Sequence, residues 1–387
     1  MTRAAIARTL SKDSRRAGLE LSRELHRQLG DRNPHAVMLF ASPEYDHRAL
    51  LEALSEAETG AIVGCSTAGE FLNAEASNTS VVAIGLWSED MIFSTALARG
   101  LSRDREAAAK ALAESFIGGK RPEYRFRSAL LFTDALAGNT EDLLERLTKH
   151  TAGEYQFCGG GAGDDARFSR TWVFRNQEAA TDAAAALEIL SKKPVGIGVS
   201  HGWRPATPPL RVTAAEQNKV ISMNAAPAAE VYEEFAAERG ERFSRGDPMP
   251  VFLHHVIGIS TPTGQKLRVP LSVGEDDSIT CAAEVPAGTA VHLMSTDVES
   301  TASSAAEAIR AARQKLQGER PAVALFFDCA ATRLRLGKDF AVELNAVASE
   351  LGGVPFAGCN TYGQIARAEG QFSGFHNCTA VACLIPV

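Results

Sequence analysis

The segment AIVGCSTAGEF at residues 61–71 returns near the other end of the chain as PFAGCNTYGQI at residues 355–365. Both segments share the frame Gly-Cys-polar-Thr-x-Gly, followed by an acid or amide and then an apolar residue. A third, more divergent copy is QFCGGGAGDD at residues 156–165. It begins with apolar residues, contains a cluster of glycines and ends in two aspartates. Repetition of this kind predicts an architecture built from copies of one unit.

The same pair of elements precedes each copy. Short apolar runs typical of buried strands come first, and stretches with leucine or valine at helical intervals follow. The strands are predicted at residues 34–42, 127–135 and 321–329, and the helices at residues 46–57, 140–149 and 340–351. The spacing leaves room for a crossover helix and a second strand, so each copy is predicted to be a βαβ unit with a Gly loop.

A second kind of segment separates the copies. Residues 194–224 and 254–294 show short alternating runs broken by Pro and Gly, which predicts antiparallel hairpins, and residues 225–238 between them read as a helix. The predicted fold class is α/β, with two related α/β regions built from repeated βαβ units with Gly-Cys loops, plus the hairpins. The predicted divisions are a lead-in helix at residues 1–34, an N-terminal region at residues 35–224 and a C-terminal region at residues 225–387.

Composition excludes several classes of protein. The 387 residues are 45 % hydrophobic and 22 % charged, as in ordinary globular proteins, and the net charge of -7 disfavours a nucleic-acid partner. The apolar runs are too short to cross a bilayer, and the N-terminus lacks the apolar stretch of a secretory signal, so we expect a cytoplasmic protein without membrane insertion. Seven cysteines without a CxxC pair predict reduced thiols.

Six motifs together resemble the FIST proteins, from about His35 to the C-terminus. They are SPEYD (42–46), GCSTAGE (64–70), GGGAGDD (159–165), FDCAATR (327–333), GCNTYGQIA (358–366) and FHNCTAV (375–381). The chain departs from the family at Gly363-Gln364, where the family commonly has Gly-Glu. The resemblance implies a bacterial ligand-sensing input domain with N-terminal and C-terminal FIST regions, often joined to or encoded near histidine kinases and cyclic-di-GMP enzymes.

The resemblance also implies a mode of action. Nothing similar to a kinase or cyclic-di-GMP output follows, so we expect a standalone sensor that signals to a partner such as a sensor histidine kinase or a cyclic-di-GMP enzyme, with a homodimer as one form. Standalone members of this length are similar to the nitric-oxide-sensing haem proteins (NosP). The cofactor implied by that similarity is haem b.

The Gly-Cys loops are the first candidate ligand site, because open α/β sheets bind ligands at the carboxyl ends of their strands. The candidate ligand-binding residues are Cys65, Thr67, Glu70, Asp164, Cys359, Thr361, Tyr362 and Gln364. Two alternatives stay open: the glycines serve only as turns, and Asp164 with Asp165 caps the next segment.

His201 is the candidate haem ligand. It lies in VSHGWRP, where Trp203 would pack against the haem ring and Arg204 or Arg211 would pair with a propionate. His376 is the second candidate. The alternative is a loop histidine without a ligand.

A Cys-dependent enzyme acting on a small amino-acid-like substrate is the rival hypothesis. Cys65 or Cys359 would be the nucleophile, with His47 or His376 as the base. Against it, buried free cysteines usually act as small apolar residues, and no established catalytic motif is present. A pure interaction scaffold is the third class.

Overall fold

A computed structural model describes residues 1–56, 59–262, 264–367 and 374–387. The strands, in chain order, are β1 (Thr2–Thr9), β2 (Ala36–Ala41), β3 (Ala61–Ser66), β4 (Glu70–Leu72), β5 (Glu75–Ser77), β6 (Val81–Ser88), β7 (Met91–Arg99), β8 (Phe126–Thr133), β9 (Gln156–Gly161), β10 (Val173–Arg175), β11 (Glu178–Ala180), β12 (Ala183–Ser191), β13 (Gly196–Ser200), β14 (Arg204–Pro205), β15 (Leu210–Glu216), β16 (Lys219–Met223), β17 (Ala226–Pro227), β18 (Ile257–Thr261), β19 (Gly264–Arg268), β20 (Pro270–Val273), β21 (Ile279–Cys281), β22 (Ala290–Ser295), β23 (Pro321–Cys329), β24 (Phe356–Thr361), β25 (Gln364–Arg367), β26 (Phe375–His376) and β27 (Ala380–Pro386). The α-helices are α1 (Ser14–Gln28), α2 (His47–Ser55), α3 (Arg105–Ser115), α4 (Thr140–His150), α5 (Ala228–Glu238), α6 (Met249–Phe252), α7 (Val298–Lys315), α8 (Ala330–Leu336) and α9 (Phe340–Leu351).

Three copies of one unit form the body of the protein, as the repeats predict. The first is centred on the parallel pair β2 and β3, the second on β8 and β9, and the third on β23 and β24. The sheet orders are β1-β6-β2-β3-β10-β11, β7-β12-β8-β9-β25-β26 and β13-β27-β23-β24-β4-β5. The α/β class is confirmed, and the outer Gly-Cys loops leave matching ends of matching strands.

The three predicted crossover helices are also present. They are α2, α4 and α9, and their buried leucines face the sheets. The predicted end of the first helix, Ala57, lies outside the described residues. The lead-in helix is α1, which begins after Asp13, whose side chain accepts a hydrogen bond from the N–H of Arg16. Strand β1 precedes this helix and was not predicted; it pairs with β6 along its whole length.

The last hairpin of each unit completes the sheet of a neighbouring unit. Strands β4 and β5 of the first unit extend the third sheet, β10 and β11 of the second extend the first sheet, and β25 and β26 of the third extend the second. The leading residues of the exchanged strands take equivalent places: Glu70 opposite Cys359, Val173 opposite Cys65, and Gln364 opposite Gly160. The exchange is cyclic, so each of the three sheets depends on another unit for an edge.

Three phenylalanine rings meet where the units converge. Phe40, Phe132 and Phe327 occupy equivalent positions in β2, β8 and β23, and their centroids are 5.7, 5.7 and 5.8 Å apart in edge-to-face contacts. All three side chains are fully buried. Equal contacts among equivalent residues place a pseudo-threefold axis through this cluster.

The first glycine of each loop permits close strand approach. A Cβ atom on Gly64, Gly159 or Gly358 would lie 1.8, 2.1 or 1.7 Å from a backbone carbonyl oxygen of the adjacent strand. Only Gly159 has a positive φ, 142°. Close approach therefore accounts for the first glycine of each outer loop, whereas the second glycines, Gly69 and Gly363, have positive φ values of 119° and 88° and serve as turn residues.

Backbone hydrogen bonds join the three loops in a ring. Each loop donates an N–H to a carbonyl of another loop, and the three bonds are equivalent under the pseudo-threefold axis. The N–H to O distances are 2.9 Å from Gly163 to Ser66, 2.9 Å from Tyr362 to Gly161 and 3.0 Å from Ala68 to Asn360.

A buried carboxylate braces the first loop. Glu70 accepts hydrogen bonds from the Thr67 hydroxyl, from the Ser80 N–H at 3.1 Å and from the Ser80 hydroxyl at 2.8 Å. Burial raises the pKa of Glu70 to about 7. In the third unit Gln364 makes the matching contact, with its amide 3.0 Å from the Thr361 hydroxyl.

The second unit departs from this pattern. Val173 occupies the position of Glu70 and Gln364, because residues 164–171 form an additional loop between the glycines and β10. The two aspartates that end the middle copy, Asp164 and Asp165, are therefore not equivalent to Glu70. Asp134, at the end of β8, supplies the bracing carboxylate instead, and accepts from the Thr171 hydroxyl and the Asp182 N–H.

A separate antiparallel sheet is inserted into the third unit between β13 and α7. It contains β14 to β22, and α5 and α6 accompany it. We call residues 201–297 the inserted domain. The predicted antiparallel strands of residues 254–294 are present in it, and so are those of residues 194–224 except β13, which pairs with β27 in the third sheet. The helix predicted at residues 225–238 is α5 (Ala228–Glu238). The predicted boundary between residues 224 and 225 lies within this sheet, in the turn between β16 and β17.

We expect Gly358→Ala to destabilise the protein by about 3 kcal/mol or more, because the new methyl group displaces backbone rather than a movable side chain. Urea unfolding measures the change. Gly246→Ala is the matched control, since a Cβ there meets open space. Equal unfolding midpoints for the two variants would contradict the close approach.

We expect Glu70→Gln to stabilise the protein more at pH 8 than at pH 5, by about 2 kcal/mol. The folded state holds the Glu70 proton more tightly than the unfolded state does, so wild-type stability falls as the pH rises from about 4.5 to about 7. Glutamine has no charge to bury. Urea unfolding at both pH values is the measurement, with the exposed Glu75→Gln as control; a pH-independent effect would refute the raised pKa.

Candidate functional site

The structure places most of the predicted loop residues in the interior. Six of the eight have no exposed surface: Cys65, Thr67, Glu70, Cys359, Thr361 and Gln364. Their polar atoms bond to one another and to the loops, as described above. Asp164 accepts hydrogen bonds from the N–H groups of Phe168, Ser169 and Arg170 at 2.7 to 2.9 Å, so it caps the additional loop. Tyr362 donates to the same carboxylate at 2.5 Å.

The two cysteines of the outer loops lie side by side in the core. Burial, together with a contact to Cys65, raises the pKa of Cys359 well above its usual range. His47 lies 3.2 Å from the carbonyl of Ser42 through Nε2. Among the described residues, no hydrogen bond joins a histidine to either thiol. This arrangement does not provide the activated nucleophile that the rival hypothesis requires.

The surroundings of His201 do not fit a haem ligand. Its Nε2 lies 3.0 Å from the carbonyl of Gln265, and its Nδ1 is 3.3 Å from the N–H of Trp203. Burial lowers the pKa of His201, which favours the neutral ring. The two contacts occupy both ring nitrogens. Trp203 packs in the interior and Arg204 pairs with Asp297 at 2.8 Å.

His376 is engaged as well. Its Nε2 lies 3.1 Å from the carbonyl of Ala366, and burial lowers its pKa to about 4. Haem therefore stays a prediction of the sequence resemblance, and these residues as arranged do not form its site.

A cavity of about 520 Å³ lies where the second unit, the third unit and the inserted domain meet. Its walls come from segments far apart in the chain, mainly around residues 135–141, 269–271, 281–284, 329–334 and 361–363. None of these segments forms the cavity alone. The cavity lies at the carboxyl end of β8 and β23, the edge at which open α/β sheets bind ligands.

The cavity walls are more apolar than polar, and three charged residues, Arg105, Glu141 and Glu284, also line the cavity. Val269, Leu271 and Phe375 line the interior, and two exposed leucines, Leu136 and Leu334, lie at the cavity. Phe168, from the additional loop, is half exposed and stacks on Tyr362 with ring centroids 4.7 Å apart. Exposed apolar side chains grouped at a cavity are typical of a binding surface.

One buried polar atom in the cavity wall has no partner. Asn377 is 2 % exposed, and its Nδ2 donates to the carbonyl of His376 at 3.2 Å. Within the described part of the chain, its Oδ1 has no hydrogen-bond partner. A buried acceptor without a partner costs free energy, so this atom marks a place where a bound molecule can donate a hydrogen bond.

Two cysteines form a thiol pair at the cavity. Cys329 ends β23 and lies at the start of α8, where it lines the cavity. The Cys378 thiol and N–H both contact the Cys329 sulfur. These contacts lower the pKa of Cys329 to about 6 and raise that of Cys378. Sequence reasoning missed Cys329, although a cysteine between a buried strand and a helix was the available signal.

Charged side chains tie the inserted domain to the second unit beside the cavity. Arg268 is almost fully buried and pairs with Glu141, at the start of α4, at 2.7 Å. Lys266 pairs with the same carboxylate. Asn139 donates to Glu284 at 2.9 Å. A ligand in the cavity would thus contact both the inserted domain and the second unit, beside the polar contacts that join them.

Comparison with curated proteins and solved structures finds distant similarity. The uncharacterized protein MJ1623 of Methanocaldococcus jannaschii is 23 % identical over 266 residues, which are 65 % of this chain and 51 % of that protein. The chain thus spans about half the length of this relative.

Two solved enzymes align with low scores. A cyanuric acid hydrolase from A. caulinodans aligns over 100 % of this chain and 99 % of its own at 7 % identity, with a TM-score of 0.34. The T. maritima PurL complexed with ADP aligns over 99 % of this chain and 71 % of its own at 11 % identity, with a TM-score of 0.24. Scores this low do not establish a shared fold.

Comparison with protein-family models identifies the family of the chain. The FIST N domain matches residues 35–226 and the FIST C domain matches residues 228–367. Of the helices in the described residues, none has the length and apolar character needed to cross a membrane. The chain belongs to the FIST family, whose domains sense small ligands in signalling proteins.

Proposed function

We propose that this protein is a sensor whose small-molecule ligand binds in the cavity between the inserted domain and the pseudo-threefold body. The observation that carries the proposal is the unpartnered Oδ1 of Asn377 in the wall of that cavity. The volume of about 520 Å³ lies within the range of ordinary ligand pockets.

The lining indicates the chemistry of the ligand. Apolar walls favour an uncharged organic molecule, because a charged group would lose its hydration there. The stacked rings of Phe168 and Tyr362 offer a flat apolar surface, and Asn377 offers an acceptor. The ligand is therefore a compact, mostly apolar molecule with one hydrogen-bond donor.

The position of the cavity supports a route for the signal. A ligand that contacts the inserted domain and the second unit favours one arrangement of the two over others, and that preference shifts their equilibrium. The pairs of Arg268 and Lys266 with Glu141 are the contacts that such a shift would change. A partner protein would then recognise the new arrangement.

Other features of the sensor remain predictions. The sequence resemblance implies haem b as the cofactor, nitric oxide as the signal, a sensor histidine kinase or a cyclic-di-GMP enzyme as the partner, and a homodimer; the N-terminal sequence predicts a cytoplasmic location. Nothing in the site geometry favours haem over the uncharged organic ligand described above.

Fluorescence of N-phenyl-1-naphthylamine tests the proposal, because this uncharged amine carries one N–H donor and brightens in apolar surroundings. We expect saturable binding to the full chain, and loss of binding in Ala282→Trp, which fills the cavity from an exposed wall position. Asn377→Ala should weaken binding about 2-fold to 10-fold, the effect of one hydrogen bond.

Ala111→Trp is the matched control, since Ala111 is exposed on α3 and does not line the cavity. It should bind the probe as the wild type does. Undiminished binding in Ala282→Trp, or an equal loss in Ala111→Trp, would refute the cavity as the ligand site. Circular dichroism establishes that each variant is folded before binding is measured.

A further inference from the structure

We propose that Cys329 is a covalent modification site, at which a soft electrophile such as an α,β-unsaturated carbonyl compound enters the cavity and forms a thioether. This inference rests on the proposed function, because it assigns a reaction to the same cavity. It narrows the ligand to a molecule that both fits the apolar walls and carries an electrophilic carbon.

The location of the thiol is the first argument. Cys329 is 4 % exposed, yet it lines the cavity together with Ala330 and Ala331, whose small side chains leave the approach open. The unpartnered Oδ1 of Asn377 is in the same wall. A donor group on the electrophile can bond there while its reactive carbon faces the sulfur.

The hydrogen-bond donors around the sulfur are the second argument. The Cys378 thiol, the Cys378 N–H and the Ala331 N–H lie near the Cys329 sulfur, and together they favour the thiolate. The pKa of Cys329 is correspondingly lowered to about 6. A thiolate, and not a thiol, is the nucleophilic form of cysteine.

The nearby charged groups are compatible with a thiolate. Asp328, on β23, and Glu343, on α9, are buried. Burial first, and then the negative charge of a Cys329 thiolate, raises the pKa of Asp328 to about 8; burial and the neighbouring Asp328 raise the pKa of Glu343 well above its usual range. The carboxyl groups and the thiol therefore compete to carry negative charge, and both carboxyl groups favour their neutral forms when Cys329 is a thiolate. Arg335, on α8, faces the same cluster with its positive charge.

Cys281 provides an internal comparison. It lines the same cavity, but burial raises its pKa to about 12, so its thiol keeps its proton. The paired cysteines of the core, Cys65 with Cys359 and Cys158 with Cys383, have no exposed surface or almost none. Among these cysteines, Cys329 is therefore the one that both lines the cavity and has a lowered pKa.

The reaction is balanced without an oxidant. The thiolate sulfur donates an electron pair to the β-carbon of the electrophile and the C–S bond forms. The π electrons of the carbon–carbon double bond move to the carbonyl oxygen, and the resulting enolate takes a proton from solvent. No group leaves, and the mass of the protein rises by the mass of the electrophile.

Labelling with N-ethylmaleimide, a small electrophile of this class, tests the proposal on the native full chain. Intact mass and peptide mapping should show one adduct, on Cys329, forming at least 10-fold faster than any adduct on Cys281. Cys329→Ser should abolish the fast adduct, and Ala111→Trp, which is remote from the cavity, should leave it unchanged. Ala282→Trp should slow it.

The pH dependence of labelling separates a reactive thiol from a merely accessible one. Between pH 6 and pH 8 the rate at Cys329 should rise only about 2-fold, whereas an ordinary cysteine would accelerate by about 80-fold. Fast labelling of Cys378 or Cys281 in place of Cys329, or a steep rise with pH at Cys329, would overturn the proposal.

The two proposals fail separately. If N-phenyl-1-naphthylamine binds in the cavity and N-ethylmaleimide leaves Cys329 unmodified, the covalent site is wrong and the ligand cavity stands. If neither probe enters the native protein, both proposals fall. If Cys329→Ser does not fold, peptide mapping of the wild type and of Cys281→Ser still identifies the labelled residue.

Discussion

The edge-to-face contact of Phe40, Phe132 and Phe327 is the interaction on which the rest of the structure depends. One ring comes from each unit, and each buried ring contributes about 1.5 to 3 kcal/mol through the apolar surface it removes from water. The contact fixes the three parallel strand pairs around one axis. Once they are fixed, the loops after those strands converge, and their backbone groups can satisfy one another in a ring. The exchanged hairpins follow, because the strand after each loop emerges beside the sheet of a neighbouring unit.

Function arises where the threefold pattern is broken. The polar side chains of the first loop already have partners within the protein, and of the three loops the third, through residues 361–363, contributes to the cavity wall. Two departures from the repeat, the additional loop at residues 164–171 and the inserted domain at residues 201–297, meet at the same edge of the body. Phe168 from the former and Val269 from the latter both line the cavity. The repeat supplies a rigid body, and the departures from it supply the site.

Sequence patterns predicted the local elements well and the site poorly, for a physical reason. Repeated glycines, apolar runs and helical spacing are local, so the βαβ units, their helices and the hairpins could be read directly. The exchange of hairpins could not be predicted from the sequence, because the pattern of a strand does not show which other strand it pairs with. The polar residues of the loops, Thr67 and Glu70 among them, attract attention as ligand groups, yet their partners are each other. The cavity residues carry no motif, because they become neighbours only through the fold.

The cyclic exchange of hairpins has a consequence for biosynthesis. The first sheet has all its strands once β11 has left the ribosome, but the second waits for β26 and the third for β27, which follow the whole inserted domain. Two of the three sheets therefore remain with open edges while the inserted domain is being synthesised. Such edges are templates for wrong pairing, so the nascent chain is exposed to aggregation during that interval. A chaperone that shields the open edge of β9 would act on a vulnerable part of the molecule.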